Sequence, residues 1–225
     1  MTNRERVELH LAWWQRENTQ PLMDNFVPLS LPCGGLDIDV PVSRIGERKV
    51  ANAAVLAATA QDLLVVQRVD FGPGFIPALA GAGLTHDGHT SWNTPVATCC
   101  AELPRPAFDT DHPLWQAYAR RRDAMLECWS WETFLPAHMN NVGPYDVLSA
   151  LLGPENLMMQ MVDDPEGVLN AGLWAGDFVA AVMREEVDAL RAMGHPDGTT
   201  DLFSIWLPGA GTRFVEDFTA MIGPQ

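Results

Sequence analysis

A single lysine, Lys49, stands in 225 residues, and the 14 basic side chains face 29 acidic ones, for a net charge of −15. That balance argues against a footprint on nucleic acid or on an anionic membrane. It leaves an anionic small molecule open, because a few arginines in a pocket hold carboxylates through their planar fork. No Cys-x-x-Cys pair occurs among Cys33, Cys99, Cys100 and Cys128. The opening "MTNRERVELH" has no apolar signal core, and no uninterrupted apolar run approaches the ~20 residues of a membrane helix. These absences point to a cytoplasmic chain with reduced thiols. No catalytic triad, dinucleotide fingerprint or zinc spacing is visible. "GPGF" and "GAGT" make no phosphate loop, since neither runs into a Lys-Ser/Thr helix start.

What the chain does have is core material. Hydrophobic residues make up 47% and charged residues 19%, a globular composition with room for one or two domains or a single α/β barrel. Residues 5–17 have a helical period, with Asn3 as the expected cap. "NFVPLSLP" and "LDIDVPV" suggest short extended pieces. "KVANAAVLAATAQ" is an Ala-rich helix, and Leu63 to Val69 a buried parallel strand running into Gly72-Pro73-Gly74.

Further on, "HPLWQAYARRRDAMLECWSWE" is a helix with a stripe of Leu114, Ala117, Tyr118, Met125 and Cys128. "FLPAHM" is a strand, followed by a loop at Val142-Gly143-Pro144 and a helix closed by Gly153. A long helix starts at Asp163-Asp164-Pro165-Glu166, all good N-terminal residues, and is expected to stop at Gly194 and Pro196. Two strand-like pieces follow, in "TDLFSIWLPGAGTRFVEDFTAMI". Alternating strand and helix signals predict α/β with a parallel sheet, consistent with a barrel whose chemistry sits at the carboxyl ends of its strands.

Few residues stand out for chemistry. Asp70 ends the first apolar strand beside a glycine loop that would let a ligand approach, so it is a candidate pocket carboxylate. Its alternative reading is a loop-start aspartate bonding local amides. Glu216 and Asp217 sit in the last strand-like run, where one of them should face inward. The alternative is that the strand has ended and both are solvated. His138 and Tyr145 flank the loop after "FLPAHM" and could line a pocket. His86 and His89 in "THDGHT" lie in a glycine-containing loop with no cysteine at ligand spacing, so no metal is expected there. Arg120-Arg121-Arg122 reads as a helix face that is solvated or paired with the chain's own carboxylates.

Several segments taken together resemble one family. "TNRERVELHL", "VDFGPGFIPALAGAG", "VGPYDVLSALLGPENLMMQMVDDPEGV" and "EDFTAMIGPQ" are similar, in this order, to stretches of the uroporphyrinogen decarboxylase superfamily, which includes the methylcobamide methyltransferases. In the last, Gly223 and Gln225 replace the usual Ser and Glu of a Ser-Pro-Glu turn. The resemblance implies a TIM (β/α)8 barrel as one domain over 1–225, ending after roughly five of eight units by comparison with the full architecture.

It implies a carboxy-lyase acting on a tetrapyrrole or related small molecule. Asp70 would stabilise the charged pyrrole intermediate, Asp217 would be a second catalytic carboxylate, and Phe71, Gly72, Gly74, His138 and Tyr145 would contact substrate. No cofactor is implied for that reaction. The alternative it offers is a corrinoid-dependent methyltransferase using zinc and a corrinoid. The family's Arg-rich opening is replaced by "MDNFVPLSLP", Ala150 stands near the family's tyrosine, and Phe218 near its small hydroxyl residue. A third reading is a non-catalytic fragment or partner-completed module, whose open strand edge leaves room for a homo-oligomer.

Overall fold

The computed structural model describes residues 1–22, 34–59, 62–192, 198–201, 204–209, 211–212 and 215–221. The expected extended piece "NFVPLSLP" and the helix stop at Gly194 and Pro196 lie outside these residues. The described chain is a mixed helix and sheet fold, falling into two compact units. The first is 1–70, 118–139 and 186–212; the second is 71–117, 140–185 and 213–225.

The first unit is built on short parallel pairing. β1 (Val66–Gln67) pairs in parallel with β4 (Leu135–Pro136). An isolated parallel bridge joins Ala137 to Thr200 of β5 (Gly198–Thr200). Three chain segments thus lie side by side in sequence order, as successive parallel strands joined by helical crossovers do. β5 also forms an antiparallel pair with β6 (Trp206–Pro208). Among the described residues the strands form three two-stranded sheets, and no closed barrel is present.

The strand expected over Leu63 to Val69 is therefore shorter than its apolar run. Leu64, Val65 and Val69 are buried all the same, so the apolar run reports burial rather than ladder length.

α1 (Asn3–Gln15) starts earlier than expected, and its cap is Thr2, not Asn3. Thr2 and Glu5 form a capping box, the Thr2 hydroxyl accepting from the Glu5 N–H while Glu5 accepts from the Thr2 N–H at 2.7 Å. Asn3 is then free to accept the Val65 N–H at 3.0 Å. The inner face of α1 is Asn3, Arg6, Val7 and His10, three of them polar. Trp14 is 44% exposed, but its indole N–H donates to the Trp206 carbonyl at 2.6 Å. Val7, Leu64, Val66, Leu135, Ala137 and Trp206 make up the local core.

α2 runs Val42–Thr59, extending the Ala-rich segment towards the N-terminus as far as the residue after Pro41. α4 (Pro113–Leu126) buries Trp115, Tyr118, Arg122 and Met125, so its inner stripe contains an arginine that the apolar pattern hid.

The second unit is helical with one hairpin. α3 (Phe75–Leu79) is wholly buried. β2 (Gly83–His86) and β3 (Ser91–Thr94) form an antiparallel hairpin around the expected "THDGHT" loop. Asp87 makes its turn, the carboxylate accepting the N–H groups of His89 at 2.8 Å and Thr90 at 2.9 Å. α5 (Pro144–Leu152) ends at Gly153 as expected, and α6 (Pro154–Asp163) follows. α7 (Pro165–Ala192) is capped by Asp164, whose carboxylate accepts the Gly167 N–H at 2.9 Å. The unit's interior is aromatic: Phe75 stacks on Trp115, and Phe108 meets Trp115 and Phe178 edge-on.

Candidate functional site

Asp70 lies just past the carboxyl end of β1, half-buried, with Asp37 as its neighbour. The loop that carries Asp37 is fastened to it by two backbone contacts. The Asp37 N–H donates to the Asp70 carbonyl at 2.7 Å, and the Asp70 N–H donates to the Asp37 carboxylate at 2.7 Å. Asp37 is fully buried and also takes Lys49 at 2.6 Å and Arg48 at 3.1 Å. Asp70 takes Arg68 at 2.9 Å. Arg48 and Lys49 stand on the face of α2 that also carries Asn52 and Leu56, spaced as a helix requires.

Asp70, Arg68 and this face of α2, though not Asp37, line a cavity of about 310 Å³ together with Gly34, Gly35, Val66, Gln67 and Ser204. Burial pushes the Lys49 ammonium below its ordinary range, and the Asp37 carboxylate pulls it back only in part. An acidic protein has thus gathered its only lysine and two arginines round one pocket at a strand's carboxyl end. Sequence reasoning picked Asp70 and missed Asp37, Arg48, Lys49 and Arg68. The available signal was a paired Arg-Lys inside an otherwise Ala-rich helix.

Two other buried polar groupings in the first unit hold structure rather than line this cavity. Tyr118 donates to Glu186 at 2.5 Å and Arg122 to the other oxygen at 3.3 Å. Burial raises Glu186, and burial first and then Glu186 raise the Tyr118 hydroxyl. Arg122 is therefore a buried ion-pair member and not part of a solvated face; Arg121 donates to the carbonyls of Val40 and Ile38 at 3.0 Å and 2.9 Å. His10 is held neutral, its Nε2–H donating to the Asp62 carbonyl and its Nδ1 accepting the Trp206 N–H, each at 3.0 Å. Burial lowers its pKa.

The other expected site residues are placed as follows. His138 is fully buried after β4, Nδ1–H donating to the Met139 carbonyl at 2.9 Å and Nε2 facing the Thr212 hydroxyl at 3.2 Å. Phe71, Gly72, Gly74, Tyr145 and Asp217 belong to the second unit. Phe71 is buried edge-on against Phe75. Gly72, at φ +81°, has no room for a Cβ because the Ser91 hydroxyl fills it, and that hydroxyl accepts the Gly74 N–H at 2.9 Å. The glycine loop is thus packed by the β2–β3 hairpin.

Tyr145 and Asp217 take part through their backbones in the cap at the start of α5. There Glu216 accepts the N–H groups of Tyr145 at 3.3 Å and Asp146 at 3.0 Å, while Asp146 accepts those of Asp217 at 3.0 Å and Phe218 at 2.8 Å. A Cβ on Gly143 would overlap the Glu216 carboxylate, which would have to move from this cap. The expected strand has shrunk to one bridge, Val142 to Val215, so Glu216 is half-buried as a helix cap and Asp217 is exposed. Burial, then Asp146, raises the Glu216 pKa.

Among the described residues no group of three or more His, Cys, Asp or Glu could hold a metal ion. Cys100 is buried, which pushes its thiol up, and Cys99 is half-buried. These residues do not fit a zinc-thiolate centre. No described helix is long and apolar enough to cross a membrane.

No protein family's sequence pattern matches the chain, and no curated protein does. Its fold is similar to that of a solved methyltransferase from Methanosarcina mazei, with a TM-score of 0.56 at 14% sequence identity. The match covers 86% of this chain and 57% of the methyltransferase, so the chain spans less than two thirds of that protein.

Proposed function

We propose that the chain is part of a small-molecule enzyme of the uroporphyrinogen decarboxylase and methylcobamide methyltransferase superfamily, with methyl transfer as its reaction. One observation carries this reading. The fold matches a methyltransferase over 86% of the chain, and its cavity opens at the carboxyl end of a parallel strand, where α/β enzymes of barrel type keep their chemistry. The segments β1, β4 and β5, side by side in sequence order, are compatible with consecutive barrel strands. Nothing in the described residues favours decarboxylation specifically, so the carboxy-lyase reading ranks second.

Within this proposal Asp70 is the polar group that meets the substrate. Arg68 orients its carboxylate at 2.9 Å, and Asp37 fixes its backbone. A corrinoid, when bound, would supply the methyl group, and zinc would activate a thiol acceptor. The described residues fit no zinc site, and no step is assigned to either group.

The test is methyl transfer from methylcobalamin to a thiol, followed by the corrinoid's absorbance. Asp70→Asn is expected to lower the rate by roughly 10²-fold, as removal of a preorganised electrostatic group does, with an unchanged melting temperature. No transfer by the folded chain would remove the methyltransferase reading, and carbon dioxide release from uroporphyrinogen would reinstate the decarboxylase. Equal rates for Asp70→Asn would remove Asp70 from the site.

A further inference from the structure

Among the described residues β6 pairs with β5 alone, Trp206 standing opposite Thr200. Both backbone groups of Trp206 are taken by side chains of α1. His10 Nδ1 accepts the Trp206 N–H at 3.0 Å, and the Trp14 indole N–H donates to the Trp206 carbonyl at 2.6 Å. His10 and Trp14 lie about one turn apart on the helix. They supply the acceptor and the donor that a neighbouring strand would otherwise supply, and so they cover a strand edge.

The two halves of this cover differ chemically. An indole N–H donates whatever the pH, whereas an imidazole nitrogen accepts only while it carries no proton. His10 Nε2 is already committed as a donor, to the Asp62 carbonyl at 3.0 Å. A further proton therefore goes to Nδ1 and sets donor against donor at the Trp206 N–H. His10 and Trp206 are both buried, so water cannot relieve the clash in place. Moving the helix away relieves it.

Several groups act on the ring. Burial resists the proton most, the Asp62 carbonyl and the carboxylates of Asp201 and Asp62 favour it, and Arg6 on α1 resists it. The start of α1 is tied differently, by groups that do not titrate near neutrality: Asn3 accepts the Val65 N–H at 3.0 Å. Protonation thus acts on the second half of the helix and spares the first.

We propose that the second half of α1 is an acid-released cover on the edge of β6, with the His10 imidazole as its trigger. Acidification frees the N–H and carbonyl of Trp206 while the Asn3–Val65 tie holds. The device is independent of the reading of the Asp70 cavity.

Amide hydrogen exchange on the whole chain, read by NMR and corrected for the intrinsic pH dependence of exchange, tests it. In the released state the ring has its ordinary pKa of 6.5, so release gains on the closed state only below that pH. Trp206 protection should be constant above 6.5 and fall about tenfold by about pH 5, with Val65 protection kept. His10→Gln has no titrating ring and should abolish the fall. Trp14→Phe, which leaves the ring, should keep it. Trp206 protection that ignores pH in the wild type, or that falls equally in His10→Gln, would overturn the proposal. So would parallel loss at Trp206 and Val65, the mark of general acid unfolding. Should His10→Gln fail to fold, the wild-type comparison of Trp206 with Val65 decides.

Discussion

The two units bury different things. Every buried charged or imidazole side chain among the described residues belongs to the first: Arg6, His10, Asp37, Lys49, Arg122, His138, Glu186 and Asp201. The second buries rings and aliphatics, with Ser91 and Asn141 as its buried polar residues. Its carboxylates Asp87, Asp146, Asp164 and Glu216 serve turns and helix starts instead. Removing a charge from water is expensive unless it is paired, so a region that does so repeatedly is held together by specific partners. A region of packed rings tolerates imprecise geometry, and its carboxylates at helix N-termini stay near water. The candidate ligand cavity lies in the unit that accepts the greater electrostatic cost.

The largest effects should come from breaking each unit by its own means. Asp37→Ala leaves buried Lys49 and half-buried Arg48 without their carboxylate and should cost about 3–5 kcal/mol in urea unfolding. Phe75→Ala removes the ring stacked on Trp115 and should cost a similar amount, about 3–5 kcal/mol. The two losses differ in kind. The Asp37→Ala loss should shrink at alkaline pH, where Lys49, already displaced below its ordinary range by burial, gives up its proton. The Phe75→Ala loss should not change with pH. Identical pH profiles for both variants would erase the distinction between the units.

A smaller effect separates the units by the sign of their pH dependence. Burial lowers the His10 pKa in the folded state, so the unfolded chain takes up the proton first. Stability from His10 is present above 6.5 and lost as pH falls below it. His10→Gln should flatten that loss in melting curves taken from about pH 7 to about pH 5.

Glu216 in the second unit runs the other way. Its folded pKa is raised above 4.5, so its contribution is present below that value and lost as pH rises through the folded pKa. Glu216→Gln should remove this slope while keeping an acceptor at the α5 N-terminus. This is the smallest change expected, and a steeper slope in the variant would contradict the assignment.

Much of the helical framework was legible along the chain. The Gly143-Pro144 start and Gly153 stop of α5, and the Asp164-Pro165 start of α7, are local signals, and local signals survive folding. The errors have long-range causes. Asn3 read as a cap until Thr2 took that role and Asn3 found Val65, 62 positions away. The β2–β3 hairpin was hidden because its strands are short and half-exposed, so no alternation marked them, although Asp87-Gly88 is a turn signal. For Arg122 the sequence left open a solvated face or pairing with the chain's own carboxylates, because its partner Glu186 lies 64 residues on.

By itself, then, the sequence determined the acidic surface, the alternation of helix and strand, the helix caps and the presence of Asp70 at a strand's end. These follow from composition and from contacts within a few residues. Only the tertiary structure decided which charges would be buried together. Asp37, Arg48, Lys49, Arg68 and Asp70 come from a loop, a helix and a strand end, and no spacing rule joins them. Their meeting exists only once α2 packs beside β1.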